Sequence, residues 1–456
     1  MKLNIHPQAS ESYNSKIKEL ITKLTPEHPL IEKMRQPTSS NPNLHTSFHF
    51  NETNIIGEIK YGWTDSSGKK AARAFVKEEG LVGLFDDDYK NLIRVAEGFQ
   101  KSINPKGAVS IELLEELLFD WIQLKSRNET DLNMSEFVLS ECEKQIKEYD
   151  VWIPISLLYI QSPFILGKIT FKAITKSMVD DWENRTLSKV KEQKEIDSIK
   201  IYFERIRKEI QGFATATIRV EAEPIRAYEI AFEETERSMS ALRFFSPANF
   251  SPTKICYCAS WGKQHQDSRR YLLVQDGKIV FHTNGFSDKS RPYWNLSNEE
   301  FEIYRSPGLE VFHFLLNKEK LTDFQEKFLE AISIYSRSSL NKQISDRLIY
   351  TLVALETIFL KDTGEYIQDA ISLRMAYMQP VTVEERRTIV KNVKDTYGLR
   401  SSFIHPGQNV TVDNLITLEE FMKTAWLSLH ALIPYVATEI KKDEFFIELE
   451  NRKLSG

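Results

Sequence analysis

The sequence predicts a mixed α+β N-terminal and middle region followed by an all-α C-terminal helical bundle. Three observations carry this expectation. Glycine is scarce, 17 of 456 residues, about half the usual ~7%, as a helix-rich chain allows. The middle third holds short runs of β-branched and aromatic residues, with Asp276-Gly277 between two apolar runs as a hairpin turn. From Gly308 onward apolar residues recur at spacings of three and four. At ~100–200 residues per domain the length implies about three domains. They are expected at 1–150 (mixed, mostly helical), 151–305 (α+β) and 306–456 (helical).

Taken in order, residues 1–80 are mixed, with a turn-rich loop at 36–43 (QPTSSNPN). Helical spacing then runs from 85 to 149 through Leu113, Leu114, Leu117, Leu118 and Trp121. Strands are expected at VWIPISLLYI, GKITFKAI, 214–220, KICYCASW and YLLVQDGKIVFHT, and helices at 186–211 and 223–245. In the C-terminal third one helix carries Leu348, Leu352, Leu355 and Phe359, and a second covers 366–378. A third opens on the capping box Thr382-x-x-Glu385, whose side chains satisfy free N–H groups at a helix start. Its apolar stripe runs through Ile389, Val393 and Tyr397. A fourth is expected over 413–440, with Leu415, Leu418, Met422, Ala425, Leu429, Leu432 and Val436 along one seam. Such a seam is buried in a bundle or against a partner subunit.

Composition narrows the function. Lys plus Arg number 60 and Asp plus Glu 65, a formal charge of −5, so a nucleic-acid role must be local and not spread over the surface. No phosphate-cradling glycine motif and no G-x-S-x-G occurs, which argues against a Rossmann enzyme, a P-loop NTPase and an α/β-hydrolase. Cys142, Cys256 and Cys258 contain no C-x-x-C, so neither a disulfide framework nor a zinc knuckle is expected. Cys256 and Cys258 fit one face of a strand. The N-terminus has no apolar core of a signal peptide, and the apolar stretch 152–167 is broken by Pro154, Gln161 and Pro163. The expected location is the cytoplasm, with no membrane partner. His45 and His49 lie in a strand-like segment, where a rise of ~3.3 Å per residue holds them about 13 Å apart. With no H-E-x-x-H and the other histidines isolated, neither a metal site nor a cofactor is expected.

One segment carries chemistry, YGLRSSFIHPG at 397–407. Arg400 continues the stripe of the third helix, and a guanidinium there keeps its charge and needs an anionic or polar partner. His405 precedes Pro406, which disfavours α geometry, so the helix stops at or just before it. An arginine holds a phosphate bidentately and a nearby histidine moves protons near neutral pH. Together they suit cleavage of a phosphodiester. The plainer alternative is an arginine serving the free carbonyls of the last helical turn, with His-Pro-Gly as a helix stop.

The runs DRLIYTLVALETIFL, EYIQDAISLRMAYM and ERRTIVKNVKDTYGLRSSFIHPG resemble, in this order, the "ALE", "R-x-A" and "Y-x-x-R-S-x-x-x-H" helices of the HEPN superfamily, closest to its ApeA-like branch. The resemblance covers 345–440 and extends more weakly to 219–245. It implies a metal-independent endoribonuclease whose site forms across a homodimer of the helical domain. By the resemblance Arg400 binds the scissile phosphate, Ser401 takes the polar position after it, and His405 is the general acid/base. Attack by a ribose 2′-OH then leaves a 2′,3′-cyclic phosphate. Glu356 of the ALE helix and Tyr397 are candidate supporting groups, each equally a structural residue. Arg374 is a candidate RNA-facing cation or a cation supporting the site from behind, or else a solvated helix residue. Ser401 departs from the Asn or Asp common in the family. Gly407 stands where members modified by a partner nucleotidyltransferase carry tyrosine.

Arg387, Lys391 and Lys394 share a helix face and form a candidate RNA-binding track, or else a solvated face paired with Glu384 and Glu385. Arg269 and Arg270 are a weaker candidate. The expected function is an RNA-cleaving effector of toxin or phage-defence type, acting in antiviral defence by abortive infection. RNA, tRNA among the candidates, is its substrate, and a phage or cellular trigger acts on the first 300 residues. The alternatives are a non-catalytic HEPN dimerisation or interaction module, or an RNA-binding sensor. A metal-dependent nuclease in the middle domain is disfavoured by the absence of clustered carboxylates between 151 and 290.

Overall fold

Apolar stripes define the helices, and side-chain caps close several of them from Ser110 onward. The computed structural model describes residues 1–26, 28, 60–64, 67–77, 80–260, 271–275, 278–283, 293–361, 364–404 and 411–454. At 60, 61, 271–275, 278–283, 306, 307 and 401–404 it gives the backbone path alone. Two compact units emerge: Met1–Asp150 with Arg219–Ile230, and Val151–Ile218 with Ala231–Gly456. The expected loop at 36–43, His45, His49, Arg269 and Arg270 lie outside the described residues.

The first unit contains helices α1 (Pro7–Ile21), α2 (Asp86–Ser102), α3 (Ile111–Ser126) and α4 (Met134–Gln145). It also holds an antiparallel sheet of Lys60–Thr64, Lys70–Lys77 and Gly80–Phe85. Ser110 and Asn133 cap α3 and α4 by accepting from Leu113 N at 3.1 Å and Glu136 N at 2.9 Å. The stripe Leu113, Leu114, Leu117, Leu118 and Trp121 is buried. Glu115 is buried beside it and is compensated by the Tyr89 hydroxyl at 3.1 Å and Arg73 at 3.3 Å.

A five-stranded sheet follows, mostly in the second unit, with 147–150 and 219–222 belonging to the first. Its spatial order is Ala259–Ser260, Lys147–Ser156, Ala214–Ala222, Ile169–Ala173 and Phe164–Leu166. Helices α5 (Lys176–Leu187), α6 (Gln193–Ile210) and α7 (Pro224–Phe244) accompany it. The strands Tyr271–Gln275 and Lys278–Thr283 pair antiparallel with Gln275 opposite Lys278, and the expected turn at 276–277 lies outside the described residues. Then follow α8 (Asn298–Tyr304), α9 (Glu310–Asn317), α10 (Asp323–Ser338), α11 (Ile344–Phe359), α12 (Ile367–Met378), α13 (Val383–Ile404), α14 (Val412–His430), α15 (Ile433–Val436) and α16 (Lys442–Leu454). The chain is therefore mixed α+β with a helical C-terminal part. Helix α11 is central. It buries Leu348, Leu352, Leu355 and Phe359 on one side and Thr351, Ala354 and Ile358 beside them, and packs on α10, α12, α13 and α14.

Three expectations change. The helix expected over 413–440 ends at His430, because Pro434 has no N–H to give and its ring would meet the carbonyl four residues back. The seam residues Leu418, Met422, Ala425, Leu429, Leu432 and Val436 are nevertheless buried, within one chain. Cys256 and Cys258 are buried but precede the strand Ala259–Ser260 and are not part of it. Finally, residues 151–305 and 306–456 do not form separate units, because they share one core. In it Phe244 lies against Phe312, Tyr335 and Trp426, at ring-centroid distances of 5.8, 5.9 and 5.5 Å. The Trp426 indole N–H also donates to the Phe244 carbonyl at 2.8 Å.

Arg347 of α11 is 1% exposed and stitches this core to the segment before the cysteines. Its guanidinium donates to the carbonyls of Ala248 at 2.6 Å, Pro252 at 2.8 Å and Lys254. Burial pulls its pKa down to about 10, so the group is still charged at neutral pH. Arg347→Ala strands these buried carbonyls. It is expected to lower unfolding free energy by about 3–5 kcal/mol, read as a fall in the urea midpoint at unchanged slope.

Candidate active site

Helix α13 starts as its capping box requires. Thr382 N donates to Glu385 Oε2 at 2.8 Å and Glu385 N to Thr382 Oγ1 at 3.3 Å. The stripe Ile389, Val393 and Tyr397 is buried and brings Arg400 to its end, where the side chain is 37% exposed. The helix runs on to Ile404, so its last residue directly precedes His405. His405, Pro406 and Gly407 lie outside the described residues, and Ser401 is described by its backbone alone.

Across from Arg400, α11 presents Glu356. Its Oε1 accepts from the Tyr397 hydroxyl at 3.2 Å and stands 3.7 Å from Arg400 Nη1. Burial, then the adjacent Glu356 charge, drive the Tyr397 pKa far up. The phenol therefore keeps its proton and acts only as a donor to the carboxylate. The structure thus brings together three of the expected residues, Arg400, Glu356 and Tyr397. The carboxylate fixes where the guanidinium stands. At 3.7 Å the contact is an ion pair longer than a hydrogen bond. It leaves planar N–H donors suited to an anion such as a phosphate.

The expected RNA-facing cations divide. Arg374 is not available to RNA, because both of its terminal nitrogens hold Glu365, at 2.7 and 2.6 Å. It also donates to the Phe359 carbonyl and lies 4.5 Å from the centre of the Phe446 ring. It is a structural brace between the end of α11 and α12. Lys394 pairs with Asp369 of α12 at 2.5 Å, where its exposed ammonium neutralises an exposed carboxylate. Arg387 and Lys391 line a cleft together with Lys394, Arg386, Tyr377 and Lys453.

Neither a known protein family, nor a curated protein, nor a solved structure matches this chain. Among the described residues no group of three or more His, Cys, Asp or Glu is placed to hold a metal ion. No helix among them is long and apolar enough to cross a membrane. His430 stacks on Trp426 with ring centroids 4.7 Å apart.

Lys453 and Tyr377 are the lining residues that sequence reasoning passed over. Lys453 is remote in sequence and carried no signal. Tyr377 follows the R-x-A triplet directly, and only the packing of α12 on α13 turns it toward the basic helix face.

Two outcomes follow from these pairings. The Arg374 guanidinium holds the Glu365 carboxyl down at about 2, against 4.5 ordinarily. A carboxyl whose pKa is lowered by folding adds stability above its unfolded pKa and loses it as pH falls toward the folded value. Urea unfolding of wild type and Arg374→Ala should therefore differ fully at pH 6–7, and the acid-dependent part of that difference should fade between pH 4.5 and 2. Tyr397→Phe removes one donor to Glu356 and is expected to cost about 1 kcal/mol in the same assay at pH 7.

Proposed function

We propose that this chain is a metal-independent endoribonuclease of HEPN type, an RNA-cleaving effector of the toxin or phage-defence kind that acts as a homodimer in the cytoplasm. The observation that carries the reading is the placement of Arg400. It is held by Glu356 at the end of a buried stripe, one helical turn before the residue that precedes His405. In this reading Arg400 binds and neutralises the scissile phosphate, and Ser401 supplies a neighbouring hydroxyl. His405 takes the proton of the ribose 2′-OH as that oxygen attacks phosphorus. The bond to the 5′ oxygen breaks, that oxygen receives a proton, and a 2′,3′-cyclic phosphate and a 5′-OH remain. RNA, tRNA included, is the substrate, and residues 1–300 receive the phage or cellular trigger.

One observation favours a second reading, a non-catalytic dimerisation or interaction module. The Glu356–Arg400 pair is also what a purely structural arginine would form. The two readings separate on RNA incubated with the full chain, Arg400→Ala or His405→Ala, with and without EDTA. The nuclease reading expects EDTA-resistant cleavage with 2′,3′-cyclic ends, reduced at least ~100-fold in either variant. Cleavage that persists in His405→Ala would overturn it.

A further inference from the structure

Between α12, α13 and the end of α16 lies a cleft of about 680 Å³. Leu373, Ala376, Tyr377 and Val390 give it an apolar floor, and Arg386, Arg387, Lys391, Lys394 and Lys453 line it with cations. Asp395 is the one carboxylate among its lining residues. Lys394 already answers Asp369, so contacts to phosphate fall to Arg387, Lys391 and Lys453. In a chain of net charge −5, this is the local concentration that phosphate binding needs.

The floor is as informative as the rim. The Arg386 guanidinium carbon stands 4.9 Å from the centre of the Tyr377 ring, so a planar cation and an aromatic face are already joined in one platform. Guanidinium planes and aromatic rings are the surfaces on which unpaired bases stack. Arg387, Lys391 and Lys394, at intervals of four and three, repeat along the helix about every 5–6 Å. An acidic peptide would use such cations but has no use for the stacking platform. A double helix would expose no base face to it.

We propose that this cleft binds single-stranded RNA, with bases on the Tyr377–Arg386 platform and phosphates along Arg387, Lys391 and Lys453. This rests on the nuclease reading for its choice of RNA, and it supplies that reading with a substrate path. Roughly 9 Å of helix rise separates Lys394 from Arg400, and the six-residue interval turns Arg400 to another side of α13. The strand therefore reaches the reactive arginine by passing along the helix toward its C-terminal end.

The test is binding, kept apart from cleavage. A fluorescent 2′-O-methyl RNA decamer lacks the attacking hydroxyl and is titrated into the full chain at several salt concentrations. Compared are wild type, Arg387→Glu/Lys391→Glu, Tyr377→Leu and a Lys200→Glu control on exposed α6, each checked by thermal unfolding. The charge-reversed double variant is expected to bind at least 30-fold more weakly, with its log–log salt slope reduced by about 1.4, near 0.7 for each phosphate no longer neutralised. Tyr377→Leu should lose about 10-fold at unchanged slope, while Lys200→Glu binds as wild type. Folded double or Tyr377 variants that bind like wild type would overturn the proposal, as would no binding at 50 mM salt. Displacement of the decamer by a poly-glutamate peptide, a DNA duplex or AMP at equal or lower concentration would also overturn it. If cleavage persists in His405→Ala while wild type binds the decamer through these residues, the nuclease reading falls and the cleft stands. If cleavage persists with an unchanged KM in the double variant, the cleft falls and the nuclease stands.

Discussion

A single carboxylate oxygen, Glu356 Oε1, governs the geometry on which the proposed chemistry depends. Helix α11 is buried along most of its length, so its polar groups must meet partners supplied by other helices. Glu356 finds two on α13, the Tyr397 hydroxyl and the Arg400 guanidinium, three residues apart and therefore on one side of that helix. Sliding α13 by one residue along α11 would break both contacts and push Ile389 and Val393 out of the core. Apolar packing and the shared carboxylate thus select the same register. An arginine held in this way arrives at the end of its helix with its orientation already determined.

Charge inside the second unit follows a related rule, with backbone in place of carboxylate. Arg347 is nearly sealed from water and serves three carbonyls of the segment 248–254. Arg243, equally buried, donates to the carbonyl of Cys258 at 3.0 Å and faces Glu236 at 3.4 Å. The stretch between α7 and the strand Ala259–Ser260 has little regular structure of its own. Two guanidinium groups supply the donors that a helix or sheet would otherwise provide. This is why a cysteine-bearing run that reads as a strand is instead an irregular buried segment.

Much of the helical order was legible because its signals are local. The capping box at Thr382 and Glu385, the stripe through Tyr397 and the stripe of α11 depend on residues a turn apart. The features that escaped depend on contacts between distant positions. Arg374 looked like a solvated or RNA-facing cation because its partner Glu365 lies across the turn before α12. The long seam from Leu418 to Val436 hid the break at Pro434, since apolar spacing continues through the kink while the backbone hydrogen bonds do not. A domain boundary near 305 was suggested by the change from strands to helices. The aromatic contacts of Phe244 with residues of α9, α10 and α14 override that change in texture. Of the candidate site, Arg400 and its Glu356 partner were readable from the order of the helices. The cleft was half readable, because Lys453 enters it from the far end of the chain.

That shared core has a consequence for how such a protein can be remodelled or inherited. The helices around Arg400 look, by sequence, like a cassette that can be joined to any other front end. Physically the cassette has no closed surface at its upstream edge: its missing wall is the sheet and the aromatic end of α7. A junction placed near residue 305 would carry Arg400 away from part of the scaffold that folds it. Viable chimeras should instead keep 231–456 intact together with the strands and helices of 151–218, because the unit that packs as one body is discontinuous in sequence although contiguous in space.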